Sequence, residues 1–273
     1  MAGRAPDMKP AHEFSNWFLG TWTWAVCAFI VAPLIFVVAV SFTPLDHISL
    51  PSGGLSLRWY QQMWDHTEFL GAAANSMLIA VLAACTAMVL GVLSAIASVR
   101  YRFAWLQPLR FFVTSPLFIP MVMIGLAVLT FFSTLGISSN VLRLYVGHAA
   151  LTLPYVFRTV STSLAGFDLN QEYAARNLGA SALDTFFLIT LPQIAPGIFA
   201  GGIFALIVSF DNVGISIFLT GSQFTTLPVE LFTYASYSND PMTAAISVVM
   251  ILVSMITIGL IEWIFGLNKL MRV

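Results

Sequence analysis

Six apolar runs, each near the ~20 residues that carry a helix across a bilayer core, constrain this chain more than any other feature. They cover residues 22–42, 76–99, 111–135, 146–164, 197–219 and 242–265. In lipid every backbone N–H and C=O needs a partner within the protein, and helices supply one for each. The expectation is an all-α membrane protein with six transmembrane helices, organised as a single transmembrane domain over 1–273. Only 8% of the residues are charged, against about 25% in ordinary soluble domains. Residues 1–21 are mostly polar and no small-residue cleavage site closes the first run, so the first helix reads as a retained anchor. The fourth run contains Pro154 and carries His148 and Arg158 toward its ends, and it reads as kinked or short.

Positive charge sets the orientation. With the N-terminus inside, nine of the eleven Lys and Arg lie on the cytoplasmic side: Arg4, Lys9, Arg100, Arg102, Arg110, Arg158, Arg176, Lys269 and Arg272. Arg58 and Arg143 remain outside. Both termini are then cytoplasmic, and so is the segment 166–196. A net charge of −1 gives no electrostatic pull toward nucleic acid. The longest outer stretch, 43–70, contains Trp59, Tyr60 and Trp64, which read as anchors in the membrane interface. Cys27 and Cys85 sit inside apolar runs and read as small buried side chains rather than a disulfide.

The segment between the fourth and fifth runs is a polar island, from Asp168 through Glu172, Arg176, Gly179, Ser181 and Asp184 to Pro192. Asp168 with Gln171 and Ser181 with Asp184 have the spacing of two capping boxes. Gly179 suits a left-handed turn that ends the first short helix, and Pro192 marks the end of the second. Within it, Ala174-Ala175, then Gly179, then Ile189, then Leu191-Pro192 resemble the EAA loop in membrane-spanning subunits of ATP-binding-cassette importers. The plainer alternative is an amphipathic loop resting on lipid headgroups.

That resemblance implies a type I importer permease in a bacterial inner membrane, partnered by a cytoplasmic ATPase dimer, a second permease subunit and a periplasmic substrate-binding protein. It also implies that Glu172, Tyr173, Ala174, Ala175, Gly179, Ile189, Leu191 and Pro192 form a coupling helix and its flanks, docked in a cleft of the ATPase. Tyr173 stands where the family has glutamate, and Glu172 precedes it, about 100° round the helix.

The chain has no phosphate-binding loop: its lysines, Lys9 and Lys269, follow Met8 and Asn268 rather than glycine. His12, His47, His66 and His148 show no metal-ligand spacing, and no nucleophile motif is present. The expectation is a non-enzymatic chain without metal or cofactor, whose ATP hydrolysis occurs on a partner.

Among the charged residues inside apolar runs, Asp211 is the one that supports a functional hypothesis. It stands fourteen residues after Gly197, about 21 Å along a continuous helix. A carboxylate at such depth costs on the order of 3 kcal/mol unless it faces a cavity or a partner. One reading has it line a translocation path with Phe204 and Phe218 and favour a cationic solute. The other has it hydrogen-bonded to neighbouring helices. Ser209-Phe-Asp-Asn212, Phe218-Leu-Thr-Gly221 and Leu227-Pro228 resemble the fifth-helix region of spermidine/putrescine-type permeases, specifically the second chain of the pair. Related permeases for phosphonates and opines share the S-F-D segment. An ion-coupled secondary transporter using Asp211 is the rival, weakened by the lack of an evident inverted repeat. Gly197, Gly201 and Gly202 make a small-residue face for packing either within the subunit or against a second permease.

Overall fold

The computed structural model describes residues 10–265, so the expectations for Arg4, Lys9, Lys269 and Arg272 and for the two termini lie outside the described residues. The described chain is helical: α1 Pro10–Ser41, α2 Arg58–Asp65, α3 Thr67–Arg100, α4 Leu106–Thr114, α5 Met121–Thr134 and α6 Asn140–Ala165. Then follow α7 Asn170–Asn177, α8 Ala182–Thr185, α9 Leu191–Phe210, α10 Ser216–Leu219, α11 Leu227–Tyr237 and α12 Met242–Phe265. A 3₁₀ turn, Ser115–Leu117, extends α4, and a π-helical turn, Phe186–Thr190, joins α8 to α9. Among the described residues four helices are long and apolar enough to cross a membrane, or five if the bent pair 106–117 and 121–134 is one span.

The described residues form two compact units. The first comprises residues up to Met63 together with Asn239–Val249. Here Trp59 is buried and its Nε1 donates to the Thr43 carbonyl at 2.9 Å, while the Tyr60 hydroxyl meets Ser41 Oγ at 2.7 Å. These two aromatics therefore fasten the segment that follows α1 to the end of that helix.

The second unit, Trp64–Ser238 with Met250 onward, is built around α6. Buried residues Leu144, His148, Leu151, Val156, Val160 and Leu164 occupy more than one side of that helix, as expected of a segment enclosed by other helices. Enclosure explains its composition. A helix that does not face lipid need not be uniformly apolar, and α6 keeps Arg143, His148 and Arg158 over a full 26 residues despite Pro154. The fourth span, expected to be kinked or short, is a helix of 26 residues with Pro154 inside it, and it is absent from the helices apolar enough to qualify as spans by composition.

Against α6 lies α3, through Ala80, Ala84, Ala87, Gly91 and Ala95, at spacings of three and four that put small residues on one side. A Cβ on Gly91 would come within 2.8 Å of Val156 Cβ. The glycines of α9 complete the core. A Cβ on Gly201 would lie 2.7 Å from Val156 Cα, one on Gly197 2.9 Å from the Thr159 carbonyl, and one on Gly202 2.6 Å from Met88 Sδ. The glycine face packs within the subunit.

Four expectations are corrected. The third span is not continuous: it breaks at 118–120, where Pro120 caps α5, and the two parts are bent by 110°. The fifth span starts earlier and ends sooner, because the helical run Ala182–Phe210 stops with Asp211 as its cap. Pro192 does not end a helix but lies inside the run Ala182–Phe210, directly after the π-helical turn Phe186–Thr190, the kind of local adjustment that accommodates a proline's missing N–H. Cys27 and Cys85 are exposed, facing outward from their helices rather than into the core.

Candidate functional site

The loop between α6 and α9 is organised by local chemistry. Ser181 and Asp184 form the expected capping box, with Asp184 N donating to Ser181 Oγ at 3.1 Å and Ser181 N to Asp184 Oδ2 at 3.3 Å. Gly179 adopts φ +94°, a left-handed conformation that glycine takes without a Cβ penalty. Asp168 and Gln171 do not form the other box. Asp168 Oδ1 instead accepts from Asn170 N at 3.0 Å, α7 has Leu169 at its N-cap, and Gln171 bonds to Gln193.

Glu172 on α7 is buried. Its Oε2 accepts from Arg100 Nη1 at 2.9 Å and its Oε1 from Arg100 Nη2 at 2.5 Å, and the Thr190 hydroxyl bonds the same carboxylate. Burial pushes the Glu172 carboxyl up, but the hydrogen bonds from Thr190 and Arg100 and the charges of Arg100 and Arg176 outweigh it. Its pKa lies below the ordinary carboxylate range. The Arg100 guanidinium also lies over the Phe167 ring, 5.5 Å from its centroid. Tyr173, Ala174 and Gly179 are exposed, as are Leu178 and Leu183, whereas Ala175, Ile189 and Leu191 are partly covered and Pro192 is exposed. The loop therefore holds its carboxylate inside and turns Tyr173, Leu178 and Leu183 outward. Sequence spacing identified the segment but not this division.

A second polar centre lies where two helical runs are interrupted. After α9 ends at Phe210 the chain is non-helical until α10, and this stretch meets the start of α5. Asn212 Nδ2 reaches Met121 Sδ at 3.3 Å, and a Cβ on Gly214 would lie 3.1 Å from Met121 Cβ. Irregular backbone at membrane depth is tolerated where protein buries it or where it lines a cavity. Asn212 is buried, and its Oδ1 accepts from Ile215 N at 2.9 Å.

His148 of α6, 1% exposed, ties this break to the core. Its Nδ1 lies 2.7 Å from Ser209 Oγ and its Nε2 2.9 Å from Ser216 Oγ. Ser216 donates its own hydrogen to the Asn212 carbonyl at 2.6 Å, so it accepts from His148 Nε2–H, and each ring nitrogen is partnered by a serine hydroxyl. Histidine spacing gives His148 no metal-ligand partner and does not show the hydrogen bonds it makes in the core. The signal available in the sequence was an ionisable residue inside a span; its serine partners lie 61 and 68 positions away.

Asp211 is different. Its side chain is exposed and makes no hydrogen bond or ion pair among the described residues. It sits at the C-terminal, partially negative end of the 20-residue α9, so carboxylate and helix end together attract positive charge. Helical periodicity fails beyond Phe210, so the expected alignment of Asp211 with Phe218 does not hold. Phe204 is exposed on α9, and Phe218, on α10, faces Gly125, whose Cβ would come within 3.2 Å of its ring.

Residues 87–266 match the family described as the binding-protein-dependent transport system inner membrane component. The chain is 31% identical over 256 residues to the spermidine/putrescine transport system permease protein PotC of Haemophilus influenzae, covering 93% of this chain and 99% of that one. It is 32% identical over 242 residues to the putrescine transport system permease protein PotI of Escherichia coli K12, covering 86% and 85%. Among solved structures, a bacterial ABC transporter involved in alginate import aligns with TM-score 0.71 at 18% identity, over 94% of this chain and 99% of that chain. The MetNI methionine ABC transporter aligns with TM-score 0.61 at 16% identity, over 78% and 99%. At these identities the structural likeness shows a shared fold.

Proposed function

Because the chain belongs to the binding-protein-dependent transport system inner membrane components, a family of multi-pass permeases and not of catalysts, we propose that it serves an ATP-driven importer of polyamines. In this reading it is the second of two non-identical permease chains. The complex also contains a cytoplasmic ATPase dimer and a periplasmic substrate-binding protein. The chain crosses the membrane six times with both termini inside, α6 being the enclosed fourth span and the bent pair α4–α5 the third.

The observation that carries the substrate class is Asp211. An exposed carboxylate at the negative end of a broken helix, beside a second break, suits an ammonium group in passage. The similarity to PotC and PotI supports the same class. The loop 168–192 couples the ATPase to the pathway: its exposed Tyr173, Leu178 and Leu183 are apolar surface outside the lipid that a partner's cleft would cover. ATP and the loaded binding protein each favour one of two membrane conformations, and that differential affinity drives alternating access.

The test is radiolabelled spermidine uptake into vesicles containing the full complex, with ion gradients collapsed by ionophores. ATP-dependent uptake is expected to persist. Uptake that follows the ion gradient and ignores ATP would overturn the proposal.

A further inference from the structure

Arg100 is one of the basic residues that flank the apolar runs, and its contacts give it a specific place. It is the last residue of α3, a 34-residue helix about 51 Å long that packs its small-residue side on α6. From this end Arg100 makes a two-point bond to Glu172 in the first turn of α7. Thr190, in the π-helical turn that opens α9, bonds the same carboxylate, and Gln171 and Gln193 add a second cross-link between α7 and α9. The neighbouring Arg110 bonds both the hydroxyl and the carbonyl of Ser98, fastening α4 to the same end of α3.

A bidentate guanidinium–carboxylate pair fixes orientation as well as distance. With three elements converging on one carboxylate, α7 cannot swing or roll relative to α3 and α9 without breaking a charged bond that is largely shielded from water.

We propose that Arg100 is a positioning residue that locks the docking helix to the second span, so that movement imposed on the loop is delivered to α3 instead of being absorbed by the loop. Glu172, on this account, is the inner anchor of the loop and not a contact to the ATPase. The inference rests on reading 168–192 as the coupling loop.

The experiment uses the complete reconstituted complex with Arg100→Met, Arg100→Lys, Glu172→Gln, Arg100→Glu, Glu172→Arg and the exchanged pair that combines the last two. Three quantities are read: ATPase retained on purification, basal ATP hydrolysis, and solute imported per ATP hydrolysed. Arg100→Met and Glu172→Gln are expected to retain the ATPase and hydrolyse ATP, while import per ATP falls roughly tenfold, within the usual span of coupling between linked sites. Arg100→Lys keeps the charge without the fork and recovers part of the loss, and the exchanged pair recovers more than either of its single substitutions. If Glu172→Gln sheds the ATPase while Arg100→Met couples normally, Glu172 faces the partner and the proposal fails. It fails equally if the exchanged pair is no better than its single substitutions. A wild-type complex that retains no ATPase would overturn the coupling-loop reading itself, a distinct result.

Discussion

At the loop, the carboxylate of Glu172 is consumed inside the chain, held by Arg100 and Thr190, while its neighbour Tyr173 faces outward. At the break after α9 the order is reversed: the carboxylate of Asp211 is exposed and without a hydrogen bond among the described residues, while its neighbour Asn212 is buried and bonded. Both pairs put a charged residue beside a polar one in a polar interruption of an apolar chain. The difference teaches that a buried carboxylate is retained where a guanidinium reaches it, and that an exposed one at a helix C-terminus keeps its negative charge unpartnered by the chain. Their surroundings fit that division. The loop is cross-braced by side chains from three elements, whereas the break is stabilised by His148, Ser209, Ser216 and Asn212, leaving Asp211 outside the network.

The largest effect should come from Gly179→Pro. Proline fixes φ near −65° where the backbone is at +94°, so the loop cannot keep its turn. Uptake should be abolished with the protein still present in the membrane fraction, and normal uptake would break the claim that this loop couples. Asp211→Asn should come next, cutting uptake of a cationic solute while the complex still copurifies. Loss of assembly instead would show that Asp211 belongs to a structural network after all.

His148→Leu sharpens the other side of the comparison. It leaves Ser209 and Ser216 without their buried partner, at a cost of about 1–3 kcal/mol, and should lower the midpoint of thermal unfolding of the purified chain in detergent. A smaller effect is expected from Ser181→Ala, which removes the cap of α8 and costs about 1 kcal/mol. Faster hydrogen exchange confined to 181–185 would register it.

The gentlest probe is pH. Because the folded pKa of Glu172 is depressed, its contribution is fully present above the unfolded carboxylate value and is lost as pH falls through the lower folded value. Hydrogen exchange across 168–192 should show protection attributable to this pair unchanged from pH 8 to pH 6, and losing it only on acidification below about pH 4. Loss between pH 6 and 7 would mean that Glu172 is not held as described.

Much of this was legible from residue order. Local signals were the most reliable: the capping box at Ser181 and Asp184 and the left-handed Gly179 depend on neighbours in sequence, and both are present. Apolar runs located most helices, but run length alone could not reveal that the third breaks at 118–120 or that the fifth stops at Phe210. An apolar strand of sequence looks the same whether it continues as a helix or unwinds between protein neighbours. The apparent capping box at Asp168 failed because Gln171 found Gln193, a partner 22 positions away. Arg100 with Glu172 and His148 with the two serines are likewise long-range pairings, which no spacing rule encodes. For the same reason the glycines at 197, 201 and 202 announced close packing without naming α6 and α3 as the surfaces they meet.

The most direct test of the account is ATP hydrolysis by the reconstituted complex, measured with its binding protein empty and then loaded from a panel of solutes. Stimulation by spermidine- or putrescine-loaded binding protein, diminished in Asp211→Asn, is the predicted result. Stimulation confined to an opine or a phosphonate would contradict the polyamine assignment, and no stimulation by any loaded binding protein would contradict the importer itself.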